Sequence, residues 1–198
     1  MNREKVPENR KEKIFEAALI CFNKKGYHKT SVDDIALKGR ISKGGIYYHF
    51  RSKEQLFREL FHFRVNKYFK QLTAYIQEED NPTERIRMLA KKSGQILREN
   101  EDFFKFCLEF LSMGVREPGI RKEMTLFYKD TVKTFRQLIE GGISTGAFKN
   151  LDAEKVARVL HFLFMGVFFT YFSIKVDFDL IDQHIFNVNT LFRGIQKL

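Results

Sequence analysis

The chain has 198 residues, is 43% hydrophobic with 22 phenylalanines, and carries a formal net charge of +10. This hydrophobic content excludes an intrinsically disordered chain, and the length allows one long or two small domains with a buried core. The charge is uneven, because residues 1–53 hold 13 lysines and arginines against 6 aspartates and glutamates, a net of +7, which suits phosphate binding.

The two cysteines, Cys21 and Cys107, lie far apart in apolar surroundings. Their separation favours neither a metal site nor a disulfide framework, so we expect small buried side chains in a reducing compartment. The N-terminus lacks the apolar run of a secretory signal peptide. A cytoplasmic protein is expected.

The chain is predicted to be helical throughout, because it has only three prolines and no strongly alternating segment. The first helix is expected from about residue 8 to residue 25, with Gly26 as its stop signal. Thr30 and Asp33 then have the spacing of a capping box at the start of a second helix. Gly39 is expected to end that helix.

A third short helix is predicted to start after Ser42, whose hydroxyl is placed to cap it. Ile46 and Phe50 form its buried stripe, and Ser52 with Gln55 has the spacing of another capping box. Two short helices joined by a tight turn that contains glycine are typical of a helix-turn-helix, here at about residues 31–50. The third helix would leave a polar surface exposed: Lys43, Gly44, Gly45, Tyr47, Tyr48 and His49.

This segment resembles the DNA-binding domain of the TetR family of bacterial transcriptional regulators over roughly residues 8–60. The resemblance extends beyond the helix-turn-helix through these residues: Ile14, Phe15, Ala17, Ala18, Phe22, Gly26, Tyr27, Thr30, Ser52, Lys53, Leu56 and Phe57. It implies DNA contacts at the matching positions, namely Thr30, Ser42, Lys43, Tyr47, Tyr48, His49 and Lys53.

Three further residues join the predicted DNA-binding set on other grounds. Arg40 is included for its charge and its place in the turn, and Gly44 and Gly45 because a backbone without Cβ can approach DNA closely. Lys53 follows the Ser52 cap, so its ammonium and the amides of the helix start are expected to converge on one anion.

The turn departs from the family pattern, which has a small residue followed by glycine where this chain has Gly39 and Arg40. Arg40 would then adopt a left-handed conformation at a cost of about 1 kcal/mol or more. Alternatively, Gly39 itself adopts the turn conformation, and the third helix, which would be the recognition helix, is shifted. The sequence leaves both alternatives open.

The rest of the chain is predicted to form longer helices, with a loop at Gly141, Gly142 and Gly146. Their expected ranges are about 52–77, 82–100, 101–113, 120–140, 152–174 and 180–196, with Asn81 and Pro82 starting the second of them. We therefore expect an all-α protein with a helix-turn-helix head at residues 8–68. A larger helical effector-binding and dimerisation domain would follow at residues 69–198.

The stretch of residues 159–174 is apolar on all sides and should be buried, either in a core or between subunits. Its 16 residues fall short of the roughly 20 needed to span a bilayer. The resemblance implies a four-helix dimer bundle formed by residues 152–174 and 180–196 of two copies. The alternative is a helical membrane-surface or adaptor protein that uses the apolar helix 156–174.

The resemblance also implies a pocket for a small inducer in the helices behind the head. An apolar or aromatic effector is expected, because ligand sites are mostly apolar with few polar groups, although aromatic residues at helical spacing are more often core. The candidate contacts are Phe103, Phe106, Phe110, Tyr128, His161, Phe164 and Phe168.

An enzyme or a metal site is not expected. Glu59 and His62 have the Glu-x-x-His spacing of di-iron helical bundles, but those bundles need a second copy that the chain lacks. No cofactor is predicted. The sequence thus indicates a dimeric regulator, with double-stranded operator DNA and a small effector as partners and no membrane.

Overall fold

A computed structural model describes residues 6–76 and 79–196, so the predicted helix end at Gln77 and the last two residues of the predicted 69–198 domain lie outside the described residues. Within them the fold is all-α, as predicted, with an isolated bridge between Phe148 and Gln196 and no strand. Nine helices are described: α1 Val6–Lys29, α2 Val32–Gly39, α3 Lys43–His49, α4 Lys53–Ile76, α5 Pro82–Glu99, α6 Glu101–Gly114, α7 Pro118–Ser144, α8 Ala153–Ser173 and α9 Leu180–Ile195.

The chain divides into two compact units. The first, the head unit, contains the residues up to Lys67 together with Glu101–Ile120, and the second contains Tyr68–Asn100 and the residues from Arg121 onward. The predicted boundary between residues 68 and 69 falls within α4, one residue from the end of the head unit at Lys67, but the prediction does not assign α6 to that unit. The division into a DNA-binding and an effector domain stays a prediction.

Aromatic side chains hold α6 in the head unit. The Phe57 ring of α4 lies 4.8 Å from the Phe106 ring and 5.3 Å from the Phe110 ring, measured between centroids. The Phe61 ring stacks on Phe110 at 3.9 Å. All four side chains are buried, so α6 supplies part of the core that supports the helix-turn-helix.

The first cap is displaced by one residue from its predicted position. The Asp34 N–H donates to Oγ of Ser31, and the Asp34 carboxylate accepts the Ser31 N–H at 2.9 Å. The Thr30 hydroxyl instead donates to the carbonyl of Gly26 at 2.7 Å. The predicted Thr30–Asp33 capping box is therefore wrong, and Ser31 is the N-cap.

The other predicted helix starts agree better with the structure. Asn81 caps α5 and Asp152 caps α8, each by accepting backbone N–H groups of the first turn. The Gln55 N–H donates to the Ser52 hydroxyl at 3.0 Å, but the Gln55 side chain accepts the N–H of Arg51 rather than that of Ser52. The second predicted capping box is thus formed on one side only.

The predicted loop at Gly141 and Gly142 is wrong, because α7 continues to Ser144. A Cβ on Gly142 would lie 2.1 Å from the Phe148 ring, so this glycine allows a close contact inside the helix. Gly146, with φ 77°, makes the turn that follows.

In the second unit, α9 packs against α5 and α8. One face of α8 is buried, at Ala157, Leu160, His161, Val167 and Phe168. The opposite face exposes apolar side chains, with Phe162 61% and Phe169 44% exposed. The expectation that this helix is buried on all sides is thus wrong for a single chain, although burial between subunits stays a prediction.

Candidate DNA-binding surface and effector cavity

The turn between α2 and α3 adopts the first of the two alternatives left open by the sequence. Arg40 has φ 51° and ψ 46°, the left-handed conformation, while Gly39 remains helical. Gly39 is buried, and a Cβ there would lie 3.1 Å from the Ile41 side chain and 3.2 Å from the Ala17 Cβ. Close packing against α1 and Ile41 therefore favours glycine at position 39, and the backbone strain falls on Arg40.

The third helix, α3, is anchored by buried side chains on one face and exposed on the other. Ile46 and Phe50 are both 1% exposed, as predicted, and the Phe50 ring lies 5.4 Å from the Phe15 ring. The Ser42 hydroxyl accepts the N–H of Gly45 at 3.1 Å, as predicted for the N-cap. Two buried anchors and one cap thus orient this short helix.

The outer face of α3 exposes Lys43, Gly44, Tyr47 and Tyr48, as predicted, whereas Gly45 and His49 are half-buried. Tyr48 is 84% exposed and Tyr47 is 46% exposed. Lys43 is exposed and pairs with Asp33 of α2 at 2.9 Å, which raises the pKa of the lysine. Nothing lies within 4 Å of a Cβ placed on Gly44, so this part of the helix is open to an approaching backbone.

Thr30 and Lys53 face inward rather than toward an exposed anion. The Lys53 ammonium donates to the carbonyls of Tyr27 at 2.7 Å and Thr30 at 2.8 Å and lies 4.3 Å from the centre of the Tyr27 ring. Burial lowers the pKa of Lys53. The predicted convergence of this ammonium with the α4 amides is not observed, and Thr30 is 2% exposed. DNA contacts by these two residues stay predictions.

A cleft of about 600 Å³ lies beside the recognition helix. We call it the α1–α3 cleft, and its lining is Arg10, Lys13, Ile14, Arg40, Ile41, Ser42, Gly45, Tyr48 and His49. It joins four of the predicted DNA-binding side chains with two cations of α1. Sequence reasoning missed Arg10 and Lys13, since the excess of positive charge in residues 1–53 does not indicate which cations share a surface.

The second unit contains a small cavity of about 90 Å³. Its lining is Tyr68, Phe69, Leu72, Thr73, Leu89, Phe127, Thr131, Thr134, Phe135, His161, Phe164 and Met165. His161 and Phe164 were predicted as effector contacts, and Tyr128 adjoins them through a ring contact of 5.0 Å with His161. Burial lowers the pKa of His161, which favours its neutral form.

The other predicted effector residues do not line this cavity. Phe103, Phe106 and Phe110 lie in the head unit, where the last two pack on Phe57. Phe168 is buried in the second unit, with its ring 5.5 Å from that of Phe172. Effector binding by these four phenylalanines stays a prediction.

Two further features bear on other classes of protein. Glu59, of the Glu-x-x-His pair, forms an ion pair with Lys11 at 2.8 Å, and no group of three or more potential metal ligands occurs among the residues that the structure describes. In the same residues, one helix, α8, is long and apolar enough to cross a membrane by length and composition, and one third of its most apolar part is buried in the protein.

Comparison with known proteins agrees with this geometry. A model of the bacterial regulatory proteins of the tetR family matches residues 14–60. A model of the C-terminal region of BetI-type transcriptional repressors matches residues 82–171, so the two models together cover well over half of the chain. YhgD, an uncharacterised HTH-type transcriptional regulator of Bacillus subtilis, is 28% identical over 162 residues, which are 81% of this chain and 83% of YhgD.

Solved structures share the fold. A transcriptional regulator from Saccharomonospora viridis in complex with choline has a TM-score of 0.83 at 24% identity and covers 96% of this chain and 100% of its own. FadR from Bacillus subtilis in complex with stearoyl-CoA has a TM-score of 0.82 at 21% identity, covering 93% and 99%. The chain therefore belongs to the TetR family of bacterial regulatory proteins, which are DNA-binding transcriptional regulators rather than enzymes.

Proposed function

We propose that this protein is a cytoplasmic repressor that binds a near-palindromic operator as a homodimer and is released by an apolar or aromatic effector. The observation that carries the proposal is the fixed recognition helix, which two buried side chains anchor while Lys43, Tyr47 and Tyr48 face outward. Lysine can donate to guanine edges, and tyrosine rings can contact thymine methyl groups or donate to phosphates.

Selection of duplexes from a random library by the purified protein, followed by footprinting, tests the operator. A dimer of helix-turn-helix heads should protect two half-sites related by a dyad, about 10 base pairs apart between centres or a multiple of that spacing. An asymmetric site protected by one monomer would contradict the proposal.

Lys43→Ala should relax the sequence preference, because the lysine head group lies on the exposed face of α3. A base contact of this kind is worth about 1–3 kcal/mol of discrimination. Affinities for the selected duplex and its single-base variants measure the effect, and Lys133→Ala on α7 is the control for a lost surface charge. An unchanged preference would remove Lys43 from the residues that read sequence.

The apolar faces left exposed on α8 and α9 support the homodimer. Phe162 and Phe169 of α8 and Phe186 of α9 are 61%, 44% and 62% exposed. Large apolar side chains at neighbouring exposed positions are typical of protein interfaces. We therefore assign the dimer contact to the predicted segments 152–174 and 180–196.

The cavity in the second unit supports an apolar effector. Aromatic and aliphatic side chains form most of its wall, and its polar lining residues are Tyr68, Thr73, Thr131, Thr134 and His161. At about 90 Å³ it is smaller than a typical ligand site of roughly 300–1,000 Å³. An effector must enlarge it, and the bound form would then favour a different state of the protein.

The effector proposal is tested by measuring operator affinity in the presence of chosen probes. Stearoyl-CoA and choline, the ligands of the two structural neighbours, are reasonable first probes for a long apolar chain and a small cation. We expect stearoyl-CoA, through its apolar acyl chain, to weaken operator binding. If no apolar compound changed operator affinity, the sensor part of the proposal would be wrong.

The length and apolar composition of α8 favour a membrane-surface or adaptor protein as the second candidate. Packing of α8 against α9 and burial of His161 on its inner face favour the regulator instead. Purification without detergent and a dimeric mass would exclude the membrane alternative, whereas a detergent requirement would support it.

A further inference from the structure

The α1–α3 cleft gathers cations that have no carboxylate partner among the described residues. Arg10 and Lys13 are three residues apart on α1, which places them on the same side of the helix. Arg40 lies in the turn before α3, and the three side chains line one cleft. No aspartate or glutamate belongs to its lining.

Four other cations of the head unit are engaged within the protein. Lys11 pairs with Glu59, Lys25 with Asp34 and Lys43 with Asp33. Lys53 donates to backbone carbonyls. The cleft therefore holds positive charge that the described part of the head unit does not neutralise.

The conformation of Arg40 is a second, independent observation. It has the only positive φ of a non-glycine residue in the described chain, a backbone conformation that is strained for any residue with a Cβ. Glycine would adopt the same conformation without that strain. Strain of this kind is found at functional sites, and here the strained position supplies a guanidinium to the cleft.

Hydrogen-bond donors complete the lining. The Ser42 hydroxyl accepts from the Gly45 N–H, which leaves its own hydrogen available to an acceptor. The Tyr48 hydroxyl and the His49 ring can also donate. Three cations and several neutral donors without an acidic group are suited to anionic oxygens.

We propose that the α1–α3 cleft binds backbone phosphates of duplex DNA, with Arg10, Lys13 and Arg40 as contacts that position α3 without reading sequence. This proposal rests on the proposed operator binding and adds α1 to the DNA-binding surface. Each contact should release about one counterion and contribute to affinity for every duplex alike.

The test compares Arg10→Ala, Lys13→Ala and Arg40→Gly with Lys133→Ala, which removes one exposed cation from the second unit. Two duplexes are used, one selected by the wild-type protein and one of scrambled sequence. Each cleft variant removes one phosphate contact per protomer, hence two per dimer, and should lower the salt slope of log affinity by about 1.8, so its deficit against wild type shrinks about twelve-fold from 50 to 200 mM salt. The ratio of the two affinities should stay unchanged, and Lys133→Ala should leave the slope unchanged.

The outcomes separate this inference from the proposed function. If the wild-type protein bound neither duplex, operator binding itself would be wrong. If it bound the selected duplex and the cleft variants kept the wild-type salt slope, the cleft proposal would be wrong while operator binding stood. A changed affinity ratio with an unchanged slope would also overturn it, because the residues would then read bases. Lys13→Arg, which keeps the positive charge, should retain the wild-type salt slope. A wild-type melting temperature for Lys13→Gln would show that loss of this charge does not disturb folding.

Discussion

His184 is a residue whose surroundings are at odds with its polarity. It is fully buried in α9, and neither ring nitrogen has a hydrogen-bond partner among the described residues. Its ring lies 4.2 Å from the Phe164 ring, and burial lowers the pKa of His184 to about 4. The imidazole is thus neutral in the folded protein, whereas the unfolded chain protonates it near pH 6.5.

This difference predicts a pH-dependent stability. Above about pH 6.5 the imidazole is neutral in both states, and His184 does not change the free energy of unfolding. Between pH 6.5 and 4 only the unfolded state gains the proton, so the free energy of unfolding falls by up to about 3 kcal/mol. His184→Leu should remove this part of the loss. Denaturant unfolding at pH 8, 6 and 5 measures it, and an equal loss in the wild type and the variant would contradict the assignment.

Gly44 and Gly45 are adjacent in sequence but differ in their surroundings. A Cβ on Gly44 meets nothing within 4 Å, while one on Gly45 would lie 3.1 Å from Ser42 Oγ and 3.2 Å from the Ile41 side chain. Gly44→Ala should therefore stabilise the protein by about 0.5–1 kcal/mol, and Gly45→Ala should stabilise it less or destabilise it.

The same pair of variants tests whether DNA approaches the backbone at this point. We expect Gly44→Ala to weaken operator binding although it raises the melting temperature, because the added methyl group stands on the exposed face. Thermal unfolding and operator titration are measured side by side. Unchanged operator affinity would show that Gly44 is merely tolerated in an exposed turn.

The position of the α2 cap shows what the sequence could not decide at the level of single residues. Thr30 with Asp33 and Ser31 with Asp34 both have the spacing of a capping box. A tertiary contact makes the choice, since the Thr30 hydroxyl donates to the carbonyl of Gly26, where α1 is interrupted. Local spacing carries no information about that contact.

At the scale of helices, apolar periodicity and caps predicted most elements, while the role of a glycine depends on packing that the sequence does not show. The long helix α7 passes through Gly141 and Gly142, because the Phe148 ring occupies the space beside Gly142. Likewise Gly39 stays helical against Ala17, which leaves the turn to Arg40. In both places a side chain outside the glycine's own helix determines the role of the glycine.

Arg40→Gly should separate stability from binding at the α2–α3 connection. Relief of the left-handed conformation should stabilise the fold by about 1 kcal/mol. Loss of the guanidinium should weaken binding to all duplexes. Thermal unfolding measures the change in stability. Arg51→Gly is the control, because Arg51 does not have a positive φ. A lower melting temperature for Arg40→Gly would contradict the strain argument.

At the scale of the whole molecule, the exposed apolar face of α8 leads to a prediction about the homodimer. Phe162→Glu should disrupt the proposed dimer, since loss of two buried rings in a symmetric interface costs about 3 kcal/mol or more, hence about 100-fold in affinity. Leu126→Glu, at a 52% exposed position on α7, is the matched control. Sedimentation measures the mass, and a dimeric Phe162→Glu variant would exclude this face from the interface.

The sequence could not show to which of the two units each aromatic residue belongs. Phe103, Phe106 and Phe110 share helical spacing with the core residues of both units, and only the folded chain shows that α6 belongs to the head unit. By contrast, the recognition helix with its anchors Ile46 and Phe50 could be predicted, because its signals lie within about ten residues of one another.

The contribution of α6 to the head unit also has a consequence for synthesis. Phe57 and Phe61 leave the ribosome well before Phe106 and Phe110, which cover them in the finished protein. At about 5–20 residues per second, translation from residue 67 to the end of α6 takes roughly 2–9 seconds. During that interval α4 of the nascent head unit carries an uncovered aromatic surface, so the head unit reaches its final stability only after α6 has emerged.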